Sequence, residues 1–263
     1  MTDLQRPHGG EPRGATAEPT AGPAPAPRAG TATRYEITHG PSFAMLRVDL
    51  APGQVVSAEA GAMVARHTGV GMEVKLNAAA SAGLLAKLKA FVVALIRKVV
   101  GGETFFVNHF SSPQGGSVWI APPMAGAIAH RRLQGETLTL STGAYMASSG
   151  DLQMRLKFGG LRSLLAKEGA FFLQITGHGD LWFNSYGGVH PVQINGPFIV
   201  DNGHLVGFEG PLDYVIRGAG GGVMGLVASG EGIVCEFNGQ GTVYLQSRNR
   251  SALVDWVTPL LPR

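Results

Sequence analysis

The chain has 263 residues, of which 44% are hydrophobic and only 15% charged, and its formal net charge is +3. A chain this apolar can bury a sizeable core, and so small a charge excess falls short of the clustered basic charge of a dedicated nucleic-acid binder. The one cysteine excludes a disulfide framework within the chain and favours a reducing compartment.

The first segment, residues 1–33, is rich in Ala, Pro, Gly and Thr and contains no aromatic residue. Such a composition cannot bury enough surface to offset the entropy of ordering, so we predict a disordered tail. The segment lacks the apolar region of a signal peptide, and no run in the chain reaches the roughly 18 apolar residues of a spanning helix. These features predict a cytoplasmic protein.

Two runs that alternate apolar and polar residues, 35–38 and 43–50, predict a half-buried β-hairpin at the start of the ordered chain. The residues between them, His39-Gly40-Pro41, are typical of a turn.

The rest of the chain repeats one pattern three times. Each repeat has a Gly turn, a strand, a helix-like patch, a Glu, an apolar strand, a second Gly turn and an aromatic strand. The second turns are evenly spaced, since 63 residues separate Gly116 from Gly179 and 62 separate Gly179 from Gly241. A repeated unit that buries its apolar face against its neighbours predicts one architecture rather than one reaction.

The repeats belong to a single all-β domain at 34–250, which is followed by an apolar C-terminal extension at 251–263. Repeat one covers about 54–133, repeat two 138–194 and repeat three 198–246.

The first Gly turn of each repeat locates an insertion. From Gly61 to Gly143 there are 82 residues, but from Gly143 to Gly203 only 60, so repeat one carries roughly twenty additional residues. The insertion includes 84–100, where apolar residues recur with helical spacing and cations lie off the apolar stripe. We predict a basic amphipathic helix there. Its predicted contact residues are Leu84, Leu88, Phe91, Val92, Leu95, Lys87, Lys89, Arg97 and Lys98.

Two kinds of partner suit this helix. On an anionic membrane surface, its apolar face enters the headgroup boundary while its cations meet the lipid phosphates. In a protein interface, the same face packs on the sheet or on another subunit and the cations stay solvated.

Several motifs, taken in order, resemble the altered-inheritance-of-mitochondria (twenty-four) family over about Tyr35 to Arg248. The matching segments are 59–64, 101–106, 118–123, 159–161 with 168–169, and 203–209. The resemblance implies an all-β fold of three repeated units in a pseudo-threefold, sandwich- or prism-like arrangement, related to that of the tryptophan RNA-binding attenuation protein and prone to oligomerise. Its eukaryotic members are linked to mitochondrial inner-membrane organisation. The resemblance carries over no set of catalytic residues.

One departure from the family concerns the helical patch of repeat three, which a glycine run at 218–225 replaces. Five glycines within these eight residues make a regular helix costly. The three patches are therefore not expected to be equivalent.

Glu103, Glu168 and Glu231 recur just before the apolar strand of their repeats. They could line a shared axis and bind a cation, but the simpler interpretation is that each accepts hydrogen bonds from turn amides of its own repeat. The eight histidines show no metal-site spacing. Cys235 alternates with Ile233 and Phe237, which predicts a small buried side chain.

These features together predict a non-enzymatic, homo-oligomeric scaffold or interaction protein without a cofactor, either free in the cytoplasm or peripheral to the inner face of the membrane. A small-ligand or RNA-binding module of attenuation-protein-like fold is the alternative, although fold analogy alone supports it and a nucleic-acid partner is not expected.

Overall fold

The structure is a computed structural model that describes residues 32–76, 106–158, 171–218 and 233–261. Several sequence-based expectations lie outside these ranges: most of the N-terminal tail, the helix at 84–100 with all nine of its contact residues, and the carboxylates Glu103, Glu168 and Glu231.

Strands make up most of the described chain, which confirms the predicted all-β class. The first seven are β1 (Arg34–Thr38), β2 (Met45–Leu50), β3 (Val55–Glu59), β4 (Met63–Arg66), β5 (Gly71–Leu76), β6 (Phe106–Ser111) and β7 (Gly116–Ile120). The other eight are β8 (Ile128–Ser141), β9 (Tyr145–Phe158), β10 (Phe171–Asn184), β11 (Val189–Asn195), β12 (Phe198–Asp201), β13 (Leu205–Glu209), β14 (Leu212–Gly218) and β15 (Ile233–Gln246).

The strands form two antiparallel sheets. In the smaller sheet the order is β1-β2-β7-β4, and in the larger one it is β11-β15-β13-β8-β10-β9-β3-β6-β5, with β12 and β14 also paired to β15. The predicted opening hairpin is present as β1 and β2, and along β2 every second residue is buried. Its turn begins at His39, which takes a left-handed φ of 56°.

The C-terminal extension forms α1 (Arg250–Val257) and a 3-10 turn at Thr258–Leu260. The side chain of Asn249 caps α1 by accepting hydrogen bonds from the first amides of the helix. No residue of α1 is fully buried, and Trp256 is 69% exposed. Among the described helices, none is long and apolar enough to cross a membrane.

Three apolar clusters form the core. One lies between the smaller sheet and the strands around Trp182, a second surrounds Tyr145 and Phe183, and a third contains Phe208 and Cys235. Cys235 is fully buried, as predicted, and burial raises the pKa of its thiol to about 12. A neutral, enclosed thiol is a packing residue rather than a nucleophile.

Two short hydrogen-bond ladders join strands that are far apart in the sequence. In the first, β3 meets β9 through Val56↔Ser149, Ser57↔Ser148 and Ala58↔Ala147. In the second, β8 meets β13 through Leu138↔Glu209, Thr139↔Phe208 and Leu140↔Gly207. Within the described ranges, β4 pairs with β7 alone and β12 with β15 alone, so each has one free edge.

Candidate functional site

A buried carboxylate on β10 is the centre of the first polar cluster. Asp180 is 3% exposed and accepts hydrogen bonds from the Thr33 amide at 2.9 Å and from His130 Nε2 at 3.0 Å. Arg132 Nη1 lies 3.4 Å from both of its carboxylate oxygens. The antiparallel register of β8 and β10 explains the arrangement, because it puts Arg132 directly opposite Asp180.

These partners keep Asp180 ionised. Burial alone raises the pKa of a carboxyl group, but the hydrogen bonds from His130 and Thr33 and the charge of Arg132 lower the pKa of Asp180 to about 2. A buried anion with this many donors is stable, and each donor is held in a fixed geometry. Asp180 therefore ties the first described residues of the chain to the middle of β10.

Three rings cover this cluster. The Tyr35 ring lies 4.6 Å from the His130 ring and 5.2 Å from the Trp182 ring. Trp182 is fully buried, and its Nε1 has no hydrogen-bond partner in the described part of the chain. The hydrogen bond from His130 Nε2 to Asp180 fixes the orientation of the imidazole ring, as a general base requires. The same cluster also holds the N-terminal strand in place.

The second polar cluster is built around Glu209 at the end of β13. Tyr244 donates its hydroxyl to Glu209 Oε1 at 2.6 Å, and Arg131 Nη2 lies 2.9 Å from Oε2. Burial, together with the neighbouring carboxylate, raises the pKa of Tyr244 above its usual value, so the phenol stays a donor. Desolvation alone lowers the pKa of Arg131, but its bonds to Glu209 raise it overall.

A surface cleft opens beside Glu209, where β13 ends and its neighbours β8 and β15 continue. It has a volume of about 480 Å³ and is lined by Glu136, Thr137, Glu209, Gly210, Pro211, Gln240, Gly241 and Thr242. Although partial burial raises the pKa of Glu136, bonds from backbone amides and the nearby Arg131 charge lower it overall. Two carboxylate side chains thus face the cleft, an arrangement that suits a cationic group.

A third polar group contains a serine and a histidine but lacks the geometry of a nucleophilic pair. Ser117 donates its hydroxyl to Asp49 at 2.6 Å. His67 uses Nδ1 to accept the backbone amide of Ser117 at 3.1 Å and therefore does not activate the hydroxyl. The described residues contain no group of three or more His, Cys, Asp and Glu side chains that could hold a metal ion.

Sequence reasoning missed both acidic clusters, since it searched for recurring acids and for histidine spacing. A sequence signal for a buried polar residue lies one position after the glycine of each second turn. Ser117, Asp180 and Thr242 occupy that position, and all three are buried polar residues. Each faces a polar residue on the adjacent strand: Asp49, Arg132 and Gln193, respectively.

Comparison with known proteins places the chain in a family. Residues 35–248 match the family model described as Mitochondrial biogenesis AIM24. The chain belongs to this family. The match confirms the resemblance inferred from the motifs and covers nearly the same residues.

Two similar proteins come from Streptococcus pyogenes. An uncharacterised protein of serotype M6 is 31% identical over 232 residues, which cover 87% of this chain and 91% of the relative. The crystal structure of a second protein is 29% identical and superimposes with a TM-score of 0.71, covering 87% of this chain and all of that one. The similarity therefore extends over the whole described β domain and assigns no reaction to it.

Proposed function

We propose that the protein is a non-enzymatic, oligomeric scaffold or interaction protein of attenuation-protein-like, pseudo-threefold plan. The plan is supported by the two ladders between repeats. Counted from Gly61 and Gly143, residues 56–58 of repeat one correspond to 138–140 of repeat two. Counted from Gly143 and Gly203, residues 147–149 correspond to 207–209. The two ladders therefore join the same positions in the same register.

The glycines of the second turns support the same plan. A Cβ atom on Gly179 would lie 2.2 Å from the Ser149 carbonyl oxygen, and one on Gly241 would lie 2.3 Å from that of Glu209. Ser149 and Glu209 occupy corresponding positions, so both backbones cross at the same place in their repeats. Only glycine permits so close an approach.

The observation that carries the proposed function is the apolar character of three hairpin ends. The hairpins β5–β6, β9–β10 and β14–β15 end toward residues 77–105, 159–170 and 219–232. Val74 is 65% exposed, Leu156 53% and Val215 62%, one on each hairpin. An exposed aliphatic side chain near the end of each hairpin supports an interaction surface there.

Basic residues near these ends favour an anionic membrane surface as the contact. Leu156 lies between Arg155 and Lys157, and all three are exposed. Apolar side chains flanked by cations suit a lipid boundary with anionic headgroups. The predicted helix at 84–100 likewise combines apolar residues with cations, and it lies after β5 in the sequence.

Co-sedimentation with lipid vesicles tests this proposal, alongside the molar mass in solution. We expect an oligomer that sediments with phosphatidylglycerol-containing vesicles but not with neutral ones. The double variant Val74→Asp/Leu156→Asp should lose at least about tenfold in binding, because each charge must enter the headgroup boundary. Phe43→Asp changes a side chain that is 73% exposed but lies on the opening hairpin, so it is the matched control. A monomeric protein that ignores anionic vesicles would contradict the proposal.

A second function, binding of a small cationic ligand, is favoured by the cleft beside Glu209. Glu136 and Glu209 line it, while Arg131 and Arg132 are engaged in ion pairs with Glu209 and Asp180. This charge pattern favours a cation over RNA. Spermidine titration followed by NMR is the test: we expect shifts confined to the cleft in the wild type and lost in Glu136→Gln. Shifts that persist in that variant would count against it.

A further inference from the structure

The proposed threefold plan calls for three ladders between repeats, and the described chain forms two. Repeats one and two are joined by 56–58 with 147–149, and repeats two and three by 138–140 with 207–209. A third ladder would join repeat three to repeat one. Counted from the same glycines, its segments are 198–200 of repeat three and 65–67 of repeat one. The first of these ranges lies in β12, and the second begins in β4.

A β-bulge at the same position of each repeat supports the pairing of β4 in this ladder. The register shifts by one residue at Val64 in β4, at Met146 in β9 and at Val206 in β13. These three residues correspond by the same glycine count. A bulge bends its strand and strengthens the local twist, so β4 presents its edge as β9 and β13 present theirs.

Burial differs sharply between these equivalent positions. Met146 is fully buried and Val206 is 1% exposed, whereas Val64 is 56% exposed. On the other side of the ladder, Thr139 is 6% exposed and its counterpart Ile199 is 54% exposed. Val64 and Ile199 are thus apolar and solvent-exposed where the third ladder is missing, whereas the second ladder buries both corresponding side chains.

We infer that β4 and β12 form the third ladder between two copies of this chain, with β4 of one copy pairing antiparallel to β12 of the next. The register follows from the other two ladders and puts Arg66 opposite Ile199, with Ala65 opposite Val200. This inference rests on the proposed threefold plan and adds the surface through which the scaffold assembles.

The occupant is a second copy because the chain carries both halves of the ladder but does not pair them with each other within the described residues. Each formed ladder joins a 56–58-type segment to a 147–149-type segment from another repeat, whereas the remaining two segments pair only with β15 and β7, respectively. A free edge with exposed apolar residues is a template for strand addition. Because the edges of β4 and β12 differ, the contact is head-to-tail. Copies joined in this way close into a ring or extend into a filament.

Disulfide trapping between two variants, each with one introduced cysteine, tests the contact between copies. Arg66→Cys and Ile199→Cys, mixed and mildly oxidised, should give a heterodimer on a non-reducing gel, because directly opposed residues in a ladder have Cα atoms within disulfide range. Native Cys235 is fully buried and stays out of the reaction. The matched control mixes Arg66→Cys with Phe43→Cys, which is also exposed but lies on the opening hairpin.

We expect at least about tenfold more heterodimer from the first mixture than from the control. Equal yields would overturn the inference. So would an intrachain disulfide as the main product of the Arg66→Cys/Ile199→Cys double variant, since the ladder would then close within one chain.

Molar mass separates this inference from the proposed function. We expect Ile199→Lys to reduce the oligomer to a monomer, since the lysine charge would have to enter the new ladder, whereas Phe43→Lys, at an exposed position on the opening hairpin, should leave the mass unchanged. If the wild type is oligomeric and Ile199→Lys keeps the full mass, the scaffold proposal stands and the third ladder is wrong. If the wild type is monomeric at all concentrations, both are wrong.

Discussion

The first and second ladders share one backbone register, yet their side chains fill the space beside them differently. At the first ladder, the Gln54 amide nitrogen donates to the Thr33 hydroxyl at 3.1 Å and to the Ser149 hydroxyl at 3.3 Å. At the second, the corresponding residues are Glu136 and Glu209, which face a cleft of about 480 Å³. Backbone pairing thus sets the architecture, and the side chains decide whether the junction at a ladder is closed or open to a ligand.

The difference follows from charge. Two neutral side chains can hydrogen-bond to each other and to Thr33, so the first junction closes over itself. Two carboxylates repel each other and need cationic partners, and Arg131 supplies one for Glu209. The second junction consequently has more negative charge on its surface than the first.

The largest expected effect comes from a methyl group at the crossing point of the first ladder. Gly179→Ala would place its Cβ 2.2 Å from the Ser149 carbonyl, and the backbone must move to accommodate it. We expect a loss of about 3 kcal/mol in the free energy of unfolding, measured by urea denaturation.

Gly241→Ala should cost about as much if the two ladders are equivalent. Gly69→Ala, whose Cβ would meet nothing closer than 4.0 Å, is the control and should change stability by less than about 0.5 kcal/mol. A Gly179→Ala protein as stable as this control would show that the crossing is not tight.

A smaller loss is expected at the buried carboxylate. Asp180→Asn removes the charge that His130 and Arg132 stabilise, and we expect a cost of about 2 kcal/mol at pH 7. Because the folded state lowers the pKa of Asp180 to about 2, its contribution to stability is complete above the ordinary carboxyl pKa and is lost as the pH falls toward 2.

Thermal unfolding between pH 7 and pH 2 measures both effects. The stability gap between the wild type and Asp180→Asn should shrink as the pH falls below about 4. A gap that is constant over this range would mean that Asp180 does not carry a stabilised charge. Asp151→Asn, an exposed carboxylate on β9, is the control for nonspecific charge effects.

The smallest expected effect is at the second ladder. Glu209→Gln weakens the bond to Arg131 while keeping an acceptor for Tyr244, so we expect a cost of about 1 kcal/mol by urea denaturation. Ser149→Ala at the matching position of the first ladder removes only neutral hydrogen bonds and should cost about the same or less. A Glu209→Gln variant more stable than the wild type would show that the carboxylate is kept for ligand binding at the expense of stability.

Sequence reasoning succeeded where a feature depends on local chemistry. The alternation around Cys235 predicted its burial, and the residues His39-Gly40-Pro41 predicted the first turn. Two of the three evenly spaced glycines, Gly179 and Gly241, lie where an added Cβ atom would come within 2.3 Å of a neighbouring backbone carbonyl oxygen. These signals are local because they depend on strand period and on backbone sterics.

The polar clusters depend on which strands become neighbours, and no local pattern specifies that. Thr33 and Asp180 are 147 residues apart, and Arg131 and Glu209 are 78 apart. The same reason applies to the cleft, which exists because β13 ends before β8 and β15 do. The predicted contact helix and the three repeated glutamates lie outside the described residues, so they stay predictions.

Hydrogen–deuterium exchange at two protein concentrations tests the central claim, assembly through the free edges of β4 and β12. We expect the amides of 65–67 and 198–200 that do not already bond to β7 or β15 to exchange more slowly at high concentration than at low, while those of 147–149, already in the first ladder, exchange equally slowly at both. Fast exchange of these amides that does not depend on concentration would contradict the claim.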